Sequence, residues 1–253
     1  MLQNRPHNKG QIMRKVFIDT GAHKATSVKN FKDNYPHSEE YEIFSFEANK
    51  NLEKHFKKHP DVNLQIALVW KEDGVKTFYN AGTRGSSIYK SKAFLKSKKH
   101  LKDNELHWPD SKVKKENVKT VNLDRWIKEN FNKEDEIILK LNIQGAEYEV
   151  LEHILEKGSY QYINKLYIEW FCAKTKEITI ERHIHLIEYL AYVELIPYFW
   201  SCASQDFEKI EVNKANIIRT KEEYQEFIQY ENRYNIVCQK FKKIQNKQKK
   251  CSC

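Results

Sequence analysis

The sequence predicts an α/β fold, a mainly parallel sheet covered by helices on both faces. Three observations carry this. Val16-Phe17-Ile18-Asp19-Thr20-Gly21-Ala22-His23 is an apolar strand that ends in a carboxylate and a tight glycine turn. Ile43-Phe44-Ser45-Phe46-Glu47 is a second apolar strand that ends in an acid. Downstream, strand-length apolar runs alternate with helical segments, the pattern of crossover connections between parallel strands.

The elements follow in order. Residues 1–14 read as a disordered lead-in, residues 15–238 as one domain and residues 239–253 as a basic C-terminal tail. The first strand is Lys15–Asp19. Thr26 or Ser27 is expected to cap a helix that reaches Asn34 and stops before Pro36. The second strand is Glu42–Glu47, followed by a helix from Lys50 to His59 that Pro60 ends. A third strand spans Leu64–Trp70, and Lys71-Glu72-Asp73-Gly74 reads as a hairpin turn into Val75–Asn80. A long basic loop, Ala81 to Asn117, carries a short helix near Ala93–Leu101. Val118–Leu123 is a strand and Asp124–Asn130 a helix. Glu136–Ile143 is a buried strand with Ala146–Lys157 as its crossover helix. Asn164–Trp170 is a strand, Ile178–Tyr192 a helix and Val193–Ser201 a strand. Ala215–Arg219 is expected to close the sheet. Glu222–Glu231 is helical, and Tyr234–Phe241 fits either a strand or a helix.

A strand, a glycine turn and a second strand ending in an acid describe half of a nucleoside-binding sheet. Gly21 lets backbone N–H groups approach a ligand, and Glu47 suits the two hydroxyls of a ribose. A dinucleotide fingerprint would need glycines at 21, 23 and 26, where this chain has Gly21, His23 and Thr26. No G-x-x-x-x-G-K-[ST] phosphate loop occurs. A ligand with a ribose and no phosphate fits better, which points to S-adenosylmethionine.

Composition narrows the class. The chain has 253 residues, 40% hydrophobic and 31% charged, with a net charge of +9. The excess is local. Arg84 to Lys102 holds seven Lys and Arg and no acid, and Gln239 to Cys253 holds six Lys and no acid. Without those segments 31 basic residues face 35 acidic ones. A surface that tracks nucleic acid throughout is excluded, while a local anionic partner at the loop 84–102 is not. The bland reading is a solvated lysine-rich segment. Five irregularly spaced cysteines suit a reducing compartment and form no metal pattern. No apolar segment marks a signal peptide or a membrane span, so a cytoplasmic location is expected.

With these motifs in place, the chain resembles the FkbM family of S-adenosylmethionine-dependent methyltransferases. Phe17-Ile18-Asp19-Thr20-Gly21-Ala22 is similar to the family's opening D-x-G-A turn. Phe44-Ser45-Phe46-Glu47-Ala48-Asn49 is similar to its F-E-P-N-like ribose segment, with Ala48 in place of proline. Leu139-Lys140-Leu141-Asn142-Ile143-Gln144-Gly145-Ala146-Glu147 is similar to its K-x-D-x-E-G-x-E signature. Each motif alone is weak, but the order and spacing of the three is specific. The resemblance implies a Rossmann-like class I methyltransferase fold with a seven-stranded sheet. It also implies S-adenosyl-L-methionine as cofactor, held by Asp19, Gly21, Ala22, Glu47, Asn49 and Asn142. The implied activity is O-methylation of a hydroxyl, foremost on a carbohydrate or small-molecule acceptor. The departures are His23 and Ala25 for Asn and Gly, and Asn142 and Gln144 for Asp and Glu. An amide keeps the shape of a carboxylate and loses its charge, so neither position can serve as base or metal ligand. No metal site is expected.

Each candidate has a bland counterpart. Asp19 and Asp124 are also positions for helix caps, and Glu47 for a surface acid at a strand end. His23 is either a base or a turn residue in the slot of an asparagine. Glu147 and Glu169 follow strands at the ligand-bearing edge, but Glu147 also begins a helix, where a carboxylate is stabilised anyway. His183 and His185 point to different helix faces and hold no metal. Trp70, Trp126, Trp170 and Trp200 read as core. For a base, the sequence leaves His23, Asp124, Glu147 and Glu169 open, with Asn142 as a positioning residue. Two rival readings stand beside the sugar enzyme. One is an RNA-directed methyltransferase, which Asn142 disfavours. The other is an inactive adenosylmethionine-binding module. The terminal Cys251-Ser252-Cys253 behind a polybasic run is similar to doubly prenylated ends, which would attach the chain to a membrane. A solvated tail is the simpler expectation.

Overall fold

The computed structural model describes residues 13–81, 86–90, 113–170, 175, 177–200, 206–212, 218 and 221–251. Six strands form the main sheet: β1 (Lys15–Thr20), β2 (Tyr41–Glu47), β3 (Val62–Ile66), β7 (Glu136–Leu141), β8 (Ile163–Ile168) and β9 (Pro197–Phe199). Their order is β3-β2-β1-β7-β8-β9, and every neighbouring pair is parallel. The α/β class and the Rossmann-like order therefore stand. Val16, Phe17 and Ile18 of β1 are wholly buried, as expected of a central strand in a parallel sheet. Phe17 stacks on Phe31 of helix α1 (Thr26–Asn34), with ring centroids 4.0 Å apart. The four expected core tryptophans are buried.

The strand count differs from seven in one sheet. Among the described residues, three further strands form a separate sheet, β4 (Leu68–Trp70), β5 (Gly74–Asn80) and β6 (Lys114–Asn122), ordered β4-β6-β5. The expected strand Leu64–Trp70 is thus two strands belonging to two sheets. The chain turns at Ala67, whose N–H donates to the Gln65 carbonyl at 3.0 Å. Ala67 is 3% exposed, so a small side chain suits the turn. The apolar run is continuous across it, and hydrophobicity alone does not mark the break. The expected hairpin also fails. β6 lies between β4 and β5, and Thr120 is paired with both Leu68 and Gly74.

Other boundaries move. Ala25 in the left-handed region, without a side-chain cap, precedes α1, so neither Thr26 nor Ser27 caps it. Asn122 caps helix α2 (Leu123–Asn130) by accepting the Arg125 N–H, which removes the capping role from Asp124. Helix α3 (Glu147–Lys157) is the crossover from β7 to β8. Helix α4 (Ile180–Tyr192) ends in a turn through Val193 and left-handed Glu194, which shortens the next strand to β9. Arg14, expected in the lead-in, donates to Glu42 and to the Asn130 carbonyl. The expected helix at 93–101, most of the basic loop 84–102, and all of Ala215–Arg219 except Ile218 lie outside the described residues.

The largest revision is at the C-terminus. After α5 (Lys221–Ile228), helix α6 runs unbroken from Glu231 to Cys251. The boundary drawn at 238 falls inside it, and the solvated tail is a helix. Tyr234, Val237, Phe241 and Ile244 are buried at spacings of three, four and three, one stripe of an α-helix. Arg233 pairs with Glu188 of α4, and Gln245 donates to the Glu208 carbonyl at 2.7 Å. Ser252 and Cys253 lie outside the described residues. No described helix is long and apolar enough to cross a membrane.

Phe241 has no exposed surface. Phe241→Ala is expected to lower stability by about 3–5 kcal/mol, measured by urea unfolding. A loss below about 1 kcal/mol would place α6 outside the cooperative fold.

Candidate active site

The strand order reverses between β1 and β7, and ligands of such sheets bind outside the carboxyl ends of the strands at that point. Asp19 and Lys140 are register partners there. Lys140 donates to Asp19 Oδ1 at 2.8 Å, and to the Thr20 and Gly21 carbonyls at 3.1 Å each. All three ammonium protons are therefore used. Both side chains are essentially unexposed. Removing one partner of such a pair costs about 3–5 kcal/mol, because the other charge stays buried. Asp19 Oδ2 is buried with no hydrogen-bond partner among the described residues. A carboxylate oxygen without a donor is a place for a ligand's donor.

Gly21 fixes the turn. Its φ is +69°, and a Cβ there would lie 2.0 Å from the Asn142 carbonyl oxygen. Only glycine allows β1's turn to close on β7's. The Gly21 and Ala22 N–H groups both donate to the Phe46 carbonyl, tying the same turn to β2. Glu47 reinforces that tie. Its Oε2 accepts the His23 N–H at 2.8 Å and its Oε1 accepts the Asn49 N–H at 2.7 Å. Burial raises its pKa above the usual carboxylate value, and the two N–H bonds offset part of the rise. Glu47 is thus a buried brace, not a surface acid. Each of its oxygens keeps a lone pair for a hydroxyl. His23 has a φ of 52°, the left-handed turn geometry of the asparagine it replaces. Asn49 accepts the Asn51 N–H and donates to Asn80 Oδ1 at 3.3 Å. It opens onto a cleft of about 390 Å³ lined also by Lys24, Lys54, His55 and Lys114.

On the β7 side, the amides form a chain. Gln144 Nε2 donates to Asn142 Oδ1 at 2.8 Å, and Asn142 Nδ2 donates to Glu169 Oε2 at 2.7 Å. Glu169 is half-buried, and its Oε1 has no hydrogen-bond partner among the described residues. Glu147 is spent differently. Its two oxygens accept the Ile143 and Gly145 N–H groups at 2.6 and 2.7 Å, holding the β7–α3 turn. Burial raises its pKa to about 7. Gly145 lies beneath Tyr89 and Thr175, and Ser87 donates to the Gln144 carbonyl at 2.7 Å.

Asp19, Gly21, Ala22, His23, Glu47, Asn49, Asn142, Glu147 and Glu169 therefore gather at one edge. Asp124 does not join them. It accepts the Ser159 N–H and pairs with Lys128, and Ser159 opens the turn that leads into the start of β8, at the opposite edge. His183 is a core residue that shares a hydrogen bond with the Tyr148 hydroxyl, and burial lowers its pKa to about 3. Sequence reasoning missed Lys140 as a site residue, although a lone lysine in a strand buried on both faces is a signal in itself. Nothing in the sequence marked Asn80, Tyr89 or Thr175, which reach the site from distant parts of the chain.

A parallel sheet in this order, with a D-x-G turn on β1 and an acid ending β2, defines a class I, Rossmann-like methyltransferase. The chain matches the methyltransferase FkbM domain over residues 19–208 and belongs to that family. Comparison with curated proteins and with solved structures found no match.

Glu147 sets a pH dependence. Between the ordinary 4.5 and about 7, the unfolded chain releases this proton while the folded chain keeps it. Stability therefore falls as pH rises through that window, by about 3 kcal/mol in all. Glu147→Gln, with no proton to titrate, is expected to flatten the slope in urea unfolding across the same window. An unchanged slope would mean that Glu147 ionises as freely folded as unfolded.

Proposed function

We propose that this methyltransferase transfers a methyl group from S-adenosylmethionine to a hydroxyl, with a carbohydrate as the favoured acceptor. Methyltransferases of this family generally use that cofactor. The residues present suit it. Asp19 Oδ2 is a buried acceptor without a donor among the described residues, Gly21 lets the turn after β1 close on that after β7, and Glu47 retains lone pairs for a ribose. Asp19, Gly21, Ala22, Glu47 and Asn49 would hold the cofactor, with Asn142 beside them. When bound, it supplies a methyl already activated by a sulfonium for in-line displacement.

The observation that carries the reading is Glu169. Of the four candidate bases, Asp124 lies at the wrong edge and Glu147 has both oxygens on backbone N–H groups. His23 sits in the turn slot, its backbone N–H committed to Glu47. Glu169 is the candidate carboxylate with one oxygen anchored, by Asn142, and the other without a partner among the described residues. A base held in this way takes the hydroxyl proton as the acceptor oxygen attacks. Asn142 and Gln144 then act through Glu169. Asn142 orients it by a donated hydrogen bond and Gln144 in turn orients Asn142, a task for which an amide is as good as a carboxylate is bad. The loss of two acids in the signature is thus compatible with activity.

Incubation with labelled adenosylmethionine and panels of glycans and RNAs tests the function. Transfer to a glycan supports it, transfer to RNA replaces the acceptor, and cofactor binding without transfer to any acceptor returns the inactive module. Given an acceptor, Glu169→Gln is expected to lower kcat by about 10²–10⁴-fold while affinity for the demethylated cofactor holds. Glu47→Ala should do the reverse, weakening cofactor binding by about 1.5–3 kcal/mol in calorimetry. Near wild-type turnover in Glu169→Gln would remove the base.

A further inference from the structure

Helix α6 has two faces. The stripe Tyr234, Val237, Phe241 and Ile244 is buried against the domain. The row Ile236, Lys240, Lys243, Lys247 and Lys250, spaced four, three, four and three, lies roughly 120° round the helix from that stripe and is exposed. Lys242 and Lys249 lie on the remaining side of the helix, and from Gln239 to Cys251 it carries no carboxylate. The packed face is locked by the Arg233–Glu188 pair and the Gln245 bond to Glu208, which holds the basic face outward.

The end of α4 adds apolar groups to this face. Tyr189 and Tyr192 are 44% and 76% exposed, with ring centroids 6.4 Å apart. Lys240 Nζ lies 5.9 Å from the Tyr192 ring centroid, so the tyrosines and the lysine row are contiguous. Ile236, one turn before Lys240, is 57% exposed. Large side chains so exposed are costly to leave in water without a use.

We propose that this face of α4 and α6 docks on an anionic lipid bilayer. The charge is complementary: six lysines and no acid over the last turns of a rigid helix. The residue types fit a membrane interface more closely than a nucleic acid. Tyrosine places a ring in the headgroup region with its hydroxyl in water. Lysine stems lie along apolar surface while their ammonium groups reach the phosphates. An exposed isoleucine within the lysine row has a partner in acyl chains and none on a phosphate backbone. Arginine, the residue suited to bidentate phosphate recognition, is absent from the row. The docking needs no lipid modification and does not depend on the acceptor.

Cosedimentation of the full chain with vesicles tests it. Vesicles of phosphatidylcholine mixed with phosphatidylserine should carry the protein down, and vesicles of phosphatidylcholine alone should not. Lys243→Gln with Lys247→Gln is expected to weaken binding about tenfold or more and to reduce its salt dependence. Tyr192→Ser with Ile236→Ser should weaken it severalfold while leaving the salt dependence unchanged. All four side chains are exposed, so these variants keep the fold, which circular dichroism checks. Failure to sediment with anionic vesicles at low salt overturns the proposal. So does binding that is indifferent to Tyr192 and Ile236 and is matched by single-stranded RNA, which would make the face a general polyanion surface.

Discussion

The ammonium of Lys140 lies on the seam between β1 and β7, where the strand order of the main sheet reverses. An isolated charge there would be untenable, since burial in a protein interior disfavours it strongly. Asp19 supplies the counter-charge, and the Thr20 and Gly21 carbonyls take the remaining protons. The cation therefore imposes a shape. It draws the chain after β1 into a turn whose carbonyls face inward, so that the Gly21 and Ala22 N–H groups turn toward Phe46. The position of Gly21 against Asn142, and of Glu47 against His23, follows from that turn.

The same economy governs the other acids. Each turn at this edge leaves backbone N–H groups with no strand partner, and buried N–H groups must be satisfied. Glu47 serves the turns after β1 and β2, and Glu147 serves the turn after β7. Two of the carboxylates that the sequence offers for ligand binding or catalysis, Glu47 and Glu147, are therefore architectural first. Glu169 differs because its anchor is a side-chain amide. That leaves it a free oxygen and sets its orientation by residues outside its own strand.

Much of this was legible beforehand. β1, β2 and β7 are apolar runs with abrupt polar ends, and three motifs in order located the edge where they meet. Lys140 was also visible in principle, as the one charge in Glu136–Ile143 past its first residue. The division at Ala67 was not, because the run Ile66–Trp70 is apolar across it and periodicity is blind to which sheet a strand joins. The helix at the C-terminus was obscured by its own lysines. The pattern Tyr234-Val237-Phe241-Ile244 is a regular helical stripe, but the charge around it resembles a solvated segment. Which carboxylate holds which N–H depends on loop geometry that no residue pattern encodes.

The second sheet brings another stretch of the chain to the site. Asn80 ends β5 with its side chain against Asn49, and a few residues later Ser87 and Tyr89 rest on the turn after β7. The chain returns at Lys114, on the cleft that Asn49 lines. Described residues on both sides of positions 91–112 thus reach the edge where the site residues gather, while the strands that shape the turn after β1 lie elsewhere in the sequence. The walls of the site and the turn at its centre are in this way encoded in different stretches of one chain.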